Sequence, residues 1–458
     1  VDENFMSFLR QSNRISQRCL LIADDLTGGA DSGAQFAKRG LSTLLISVKE
    51  GAQIDFSKYA SSDVLVINTD SRRLTPDKAS DLVSSLCREY DRNLFPVIYK
   101  KIDSTLRGNV GFEIDAILKE TKIPICFMTP AYPEQNRTLI NGILMVGGKP
   151  VALTEAARDA ASPVQESHVQ KLLQDQSRNN IGKIELSHVA ASQEHLKKIV
   201  EEERNKGNKI IVFDVMTRED LRNVADVGFD LDKRPLFVGS AGLAEEVARK
   251  LSPSEPYIKN QTATKSSTHV FIISGSVSGV THEQLRRLQR RDILSFELNK
   301  SFLTKEGPDF EAAKGELIPN ISDALAKGHV VLRTCPERLI SGDPKTSPIY
   351  LKIVKVIGEV ALAVLKESHI GIRDTALVLT GGDTAFSVLN LLKIEGIEIG
   401  GEILKGIVIG RLIGGTWNGL KVITKAGAFG KEYALEKIIN MLEMGSLSTK
   451  EEKNEGLD

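Results

Sequence analysis

Cysteine is scarce in this chain. Its four, Cys19, Cys87, Cys126 and Cys335, show no CxxC spacing anywhere. Such long, irregular spacing excludes a disulfide framework or a zinc ribbon and reads as a protein kept reduced. Aromatic residues make up only 5% of the chain and tryptophan occurs once, too sparse for a run of base-stacking platforms. Neither sign of charge is in excess, with 60 Lys plus Arg against 60 Asp plus Glu. A broad nucleic-acid surface needs a basic surplus to release counterions, so nucleic acid is not an expected partner. No apolar run approaches the roughly 18–20 residues a membrane helix needs. The opening stretch, residues 1–18, is polar and charged without a signal-peptide core. A cytoplasmic protein without a membrane partner is the expectation.

Several catalytic signatures are missing as well. Without GxxxxGK[ST] the chain is not a P-loop enzyme, and without GxGxxG a dinucleotide-dependent dehydrogenase is disfavoured. His282 precedes Glu283 but no second histidine completes HExxH, and no GxSxG elbow is present.

What is present is ordinary globular material, 458 residues at 41% hydrophobic and 26% charged, enough for two or three domains. Short apolar runs alternate with helical stretches: CLLIA at Cys19–Ala23, then LSTLLISV, DVLVIN, PVIYK, PICFM, IIVFD and PLFVG. That alternation requires crossover connections, hence an α/β chain with a mainly parallel sheet flanked by helices. Residues 252–268, rich in Pro, Ser and Thr, break the rhythm and are the expected linker. HVFIIS, HVVLRT and TALVLT resume it in a second α/β domain. Between 371 and 430 fall 13 of the 37 glycines, which asks for tight turns and close backbone approaches. The expected organisation is a polar arm (1–18), a first domain (19–251), the linker, a second domain (269–444) and a charged tail (445–458).

Strand-end loops carry the chemistry, because ligands of open α/β sheets collect there. LIADDLTGGADSG, residues 21–33, ends a strand in two carboxylates. Adjacent residues leave a strand in opposite directions, so Asp24 and Asp25 take different jobs, one toward a ligand and one capping the turn. A helix cap plus a solvated acid is the plain alternative. In NTDSRRL, Arg72 or Arg73 offers the two-point contact a carboxylate or phosphate prefers, or else a surface ion pair. YKKIDSTLRGNVGFE, residues 99–113, packs Lys101, Asp103, Ser104, Thr105, Arg107 and Asn109 into one turn. Lys and Arg suit the charge of a polyhydroxylated anion, and Asp and Ser its hydroxyls, whereas a capping loop needs only one or two such residues. In TPAYPEQNRT, Arg137 is a further anion contact, or the prolines simply shape the turn.

In the second domain, Ser274, Gly275, Ser276 and Ser278 lead from a strand into a helix, a ready anion site or an ordinary serine cap. Gly381 and Gly382 end another strand before Asp383 and Thr384 open a helix. TKAGAFG adds a third glycine-lined turn beside Lys425. One such loop is weak evidence; three together look like a phosphate cradle.

IADDLTGGADSG, NTDSR, KKIDSTLRGNVGFE, TGGDTA and TKAGAFG, in this order, resemble the four-carbon acid sugar kinases. The resemblance runs from about Cys19 to the end of the glycine-rich region. It implies an N-terminal sugar-acid-binding domain joined to an ATP-binding domain, and phosphorylation of the terminal hydroxyl of a C4 sugar acid. It implies Asp24 or Asp25, Arg72, Lys101, Ile102, Asp103 and Ser104 on the sugar acid, with Arg107 as a further cation of that loop. Ser274, Ser276, Gly381, Gly382, Asp383, Thr384 and Gly427 fall to ATP. The KIDSTxRGN loop resembles that of the D-threonate and D-erythronate kinases; a 3-oxo-tetronate 4-kinase is the alternative within the family. A non-catalytic sugar-acid and nucleotide sensor is the alternative outside it.

Phosphoryl transfer asks the protein to hold the attacking hydroxyl in line and to stabilise spreading charge, usually with Mg²⁺. Asp25 and Asp103 are the candidate proton acceptors, and closure of the two domains over their ligands is expected. A homodimer is expected on base rates alone.

Overall fold

The computed structural model describes residues 18–49, 51, 53–159, 162–252, 269–276, 278–291, 293–334 and 348–444. Cys335, the tail and nearly all of the arm and linker lie outside these residues. The chain divides into two compact units, Val1–Tyr257 and Ile258–Asp458.

In the first unit the strands are β1 (Cys19–Ala23), β2 (Thr43–Ser47), β3 (Val64–Asn68), β4 (Val97–Lys101) and β5 (Cys126–Thr129). They continue with β6 (Arg137–Ile140), β7 (Ile143–Val146), β8 (Lys149–Pro150), β9 (Ile181–Ile184), β10 (Ile210–Phe213) and β11 (Leu236–Gly239). Eight of them form a parallel sheet in the order β2-β3-β1-β4-β11-β5-β10-β9. Every residue of β1, β3 and β4 is buried, as strands covered on both faces must be. The helix Leu26–Ala37 packs on Ala241–Leu251, and Pro76–Arg88 on Val110–Thr121. β6, β7 and β8 form a small antiparallel sheet that periodicity alone does not announce.

The sheet order puts β1 between β3 and β4. The chain therefore runs from β1 out to β2 at the edge, returns to β3 beside β1, and then crosses to β4 on the other side. That reversal opens a crevice at the carboxyl ends of β1 and β4.

The second unit repeats the plan. β12 (His269–Ser274), β13 (Leu294–Leu298), β14 (Val330–Thr334), β15 (Thr375–Thr380) and β18 (Lys421–Lys425) run parallel in the order β13-β14-β12-β15-β18. Its switch point lies between β12 and β15. β16 (Gly396–Leu404) and β17 (Ile407–Ile413) extend the sheet antiparallel. Four of the glycines of this stretch, Gly396, Gly400, Gly401 and Gly410, lie in these two strands, while Gly406, Gly414, Gly415 and Gly419 lie in turns at positive φ. At Gly410 a Cβ would sit 2.7 Å from the Glu398 carbonyl oxygen, and Gly401, at φ 146°, stands beside a register shift. A core including Val270, Ile272, Val378, Ile423, Leu435 and Ile438 lies under this sheet. Among the described residues, no helix is long and apolar enough to cross a membrane.

Candidate active site

Asp25 leaves β1 as the N-cap of Leu26–Ala37, its Oδ1 accepting from the Gly28 amide at 3.2 Å and its Oδ2 from the Thr27 hydroxyl at 2.8 Å. Asp24 turns the other way, and Arg72, in the loop after β3, joins the two. Arg72 donates from Nε (2.7 Å) and Nη2 (3.1 Å) to Asp24 and from Nη2 (2.6 Å) to Asp25. Burial pushes the Asp25 carboxyl up, but the Arg72 and Lys101 charges outweigh it and hold the group below its ordinary range. Burial also disfavours the Arg72 charge, yet Asp24 and Asp25 raise it well above its usual value.

Lys100 and Lys101 end β4 and point to opposite faces. Lys100, fully buried, pairs with Glu113 of Val110–Thr121 at 2.5 Å, and Glu113 also accepts from the Ser71 hydroxyl at 2.7 Å. This bond ties the Arg72 loop to the helix that follows the Lys101 loop. Lys101 Nζ donates to the Ile102 carbonyl at 2.9 Å and faces Gly28, where a Cβ would meet it at 2.7 Å and Asp25 Oδ1 closer still. Only glycine fits between the two charges.

Asp103 is saturated with donors. Arg107 reaches it from Nε (2.7 Å) and Nη2 (2.9 Å), and the Thr105 amide (3.2 Å) and hydroxyl add to these. Burial would raise this carboxyl, but Arg107 and Arg72 hold it well below the usual range. Arg107 spends Nη1 on Asp159 at 3.0 Å. Asp159 lies 52 residues away in a stretch without motif, so sequence reasoning missed it. Asn109 holds the Ser71 (3.1 Å) and Leu74 (2.9 Å) carbonyls, fixing one loop against the other. Asp70 (φ 49°) and Leu106 (φ 63°) are left-handed in these same loops, a conformation kept where surrounding structure enforces it. The side chain of Ile102 lies in the core, so its part is played by its backbone; Ser104 stands half-buried on the loop.

The second unit brings its residues together at its own switch point. Ser274, Thr380 and Lys425 stand in register on β12, β15 and β18. The Gly275 amide donates to Thr384 Oγ1 at 3.1 Å, and the Gly381 amide to the Lys425 carbonyl at 2.9 Å. Gly382–Leu391 begins at this turn with Asp383 in its first turn. At Gly427 a Cβ would fall within bonding reach of Ser276 Oγ, and at Gly381 it would lie 3.7 Å from Ser276 Cβ, so the three turns meet at Ser276. Lys425, read from sequence only as a neighbour, holds the third turn from within. Its ammonium donates to Thr281 Oγ1 (3.3 Å) and to the carbonyls of Ala426 (3.1 Å) and Gly427 (3.2 Å), and burial pushes it down to about 7.

Comparison with known proteins matches this division. Residues 19–247 match a family model described as a sugar-binding N-terminal domain, and residues 271–435 one described as a nucleotide-binding C-terminal domain. The chain is 29% identical to a D-threonate kinase of Salmonella typhimurium, over 91% of this chain and 96% of that protein. It is 27% identical to a D-erythronate kinase of Heliobacterium modesticaldum (92% and 98% covered) and 25% identical to a 3-oxo-tetronate kinase of Brucella melitensis (92% and 95%). The fold is shared with a crystal structure from Salmonella typhimurium at a TM-score of 0.76 and 21% identity, covering 92% of this chain and 98% of that one. With a sugar-binding and a nucleotide-binding domain in this order and kinase relatives along nearly its whole length, the chain belongs to the four-carbon acid sugar kinase family.

Proposed function

We propose that this chain is a cytoplasmic kinase that transfers the γ-phosphoryl group of ATP to the C4 hydroxyl of D-threonate or D-erythronate. The observation that carries the reading is the convergence of Asp25, Lys101, Asp103, Arg72 and Arg107 at the β1–β4 switch point. Alternating carboxylates and cations there suit a small molecule bearing both hydroxyls and a charge. The KIDSTLRGN loop favours these two acids over a 3-oxo acid, and the names of the relatives support the substrate class.

Within this reading Asp24, Asp25, Arg72, Lys101, Ile102, Asp103, Ser104 and Arg107 bind the sugar acid. Asp25 accepts the proton of the attacking hydroxyl. It carries fewer donors than Asp103, whose oxygens are committed to Arg107 and Thr105. Its depressed pKa makes it a weak base. That suffices where the transition state is loose and little proton transfer is needed before phosphoryl departure. Lys101 beside it favours the charged carboxylate in the ground state and faces the incoming phosphoryl charge.

ATP lies on Ser274, Ser276, Gly381, Gly382, Asp383, Thr384 and Gly427, whose amides and small side chains leave room for phosphate oxygens. Mg²⁺ would be held beside these turns through the nucleotide. Among the described residues no three His, Cys, Asp or Glu side chains gather into a metal cage, and Mg²⁺ ordinarily takes one or two carboxylates plus substrate phosphates. Asp383 is the carboxylate at the turn, and the ion would neutralise phosphate charge.

The test couples ADP release to oxidation of NADH across a panel of four-carbon acids. Turnover with D-threonate or D-erythronate and ATP is the expected result. ADP release with none of them refutes the reading, and binding of an acid by calorimetry without turnover would mark a sensor.

A further inference from the structure

We infer that Arg137 grips the carboxylate of the sugar acid, a role that rests on the kinase reading above. Three arginines approach the β1–β4 crevice, and two of them already hold a carboxylate along the Nε–Nη2 edge. Arg72 lays the edge formed by Nε and Nη2 along Asp24, and Arg107 lays the same edge along Asp103. Arg137 makes no ion pair among the described residues. Its one side-chain bond runs from Nη1 to the Gln135 carbonyl, and its Nε is buried without a partner. The Nε–Nη2 edge, the fork that matches a carboxylate in both neighbouring pairs, is therefore without a partner among the described residues.

The fold puts this guanidinium beside the crevice. Lys101, Gly239 and Thr129 stand in register on β4, β11 and β5, so the ends of β4 and β5 are two strand spacings apart, roughly 10 Å. The loop after β5 folds straight back: the Tyr132 amide donates to the Arg137 carbonyl at 2.8 Å and the Arg137 amide returns the bond at 3.1 Å. Burial lowers the Arg137 charge preference, Asp103 raises it and Arg107 lowers it again, so all three share one field.

Charge decides which end of the ligand goes where. Around the crevice Asp24, Asp25, Asp103 and Asp159 outnumber Arg72, Lys101 and Arg107 by four to three. An anionic carboxylate placed among them is repelled, whereas hydroxyl groups find acceptors. A sugar acid therefore lies with its hydroxyls toward Asp25 and Asp103 and its carboxylate toward Arg137, the arginine whose Nε–Nη2 edge holds no carboxylate among the described residues.

The test uses Arg137→Gln and Arg137→Lys in the full chain, with melting temperatures checking the fold. Arg137→Gln should raise KM for the acid on the order of ten- to a hundredfold, while KM for ATP and inhibition by the matching uncharged tetritol stay as in the wild type. Arg137→Lys, keeping charge without the fork, should recover part of the loss. Wild-type turnover with an unchanged acid KM in Arg137→Gln overturns this inference alone, as does a parallel loss for acid and tetritol. A wild-type protein that neither turns over nor binds a four-carbon acid overturns the kinase reading and this inference together.

Discussion

Replacing Arg72 by alanine separates the site's architecture from its ligand binding. The substitution removes three bonds, two to Asp24 and one to Asp25, and leaves both carboxylates without that cation. Charge-assisted bonds contribute about 1.5–3 kcal/mol each in isolation, but two of the three belong to one ion pair and cannot be summed. Breaking a buried pair from one side costs roughly 3–5 kcal/mol. With the Arg72 side chain 17% exposed, water can enter the vacated space, so the low end applies, about 3 kcal/mol. For a unit of this size that is a drop of about 6–12 °C in melting temperature. The sign with pH follows from Asp25 and Asp103, both depressed in the folded protein. Their stabilisation is complete above the ordinary carboxylate value of 3.8 and is lost as pH falls through the folded values. The gap between wild type and Arg72→Ala should therefore be full at pH 7 and narrow below pH ~4. Kinetically, Arg72 Nη1 carries no bond among the described residues and remains for the ligand, so KM for the acid should rise about ten- to a hundredfold with KM for ATP nearly unchanged. Thermal melts from pH 3 to 8 and steady-state kinetics read both effects. A melting temperature that does not move at pH 7 would refute the ion-pair account, and a rise in the ATP KM alone would refute the assignment of the acid to this unit.

Asp25→Asn should lower kcat by roughly 10²–10⁴ if Asp25 takes the proton, whereas Asp103→Asn should mainly raise the acid KM by freeing Arg107; equal kcat losses would assign the base wrongly. Lys425→Met should raise the ATP KM and spare the acid KM, because the Gly427 turn loses its internal anchor. Its stability signature is distinct: burial costs the Lys425 ammonium most below pH about 7, and that cost is relieved toward the ordinary value of 10.5. Wild-type stability should thus rise across that window and the Met variant's should not, as chemical denaturation at pH 7 and 9 would show.

Much of this protein is legible in its sequence. Continuous apolar runs such as CLLIA and IIVF, short, bounded by turn residues and alternating with helical stretches, read as strands covered on both faces, and the α/β class follows from that alternation. The loops that end those strands carry their chemistry locally, which is why Asp25, Lys101, Asp103 and the glycine turns stand out without coordinates. What the sequence leaves open is pairing over distance. That Arg72 closes on two aspartates 47 and 48 residues earlier, and Arg107 on Asp159, depends on strand order, which no local pattern encodes. Asp24 and Asp25 look alike in sequence; the folded chain makes one the double partner of an arginine and the other a helix cap facing a lysine. Nothing in the sequence assigns Glu113 or Lys425 its partners; burial shows one tying two loops together and the other holding a turn from inside. Arg137 is the sharpest case, since its meaning lies in a bond it does not make. Whether a charged group is spent or available is settled only when the whole chain has chosen its partners, because burial and charge act through space and not along the backbone.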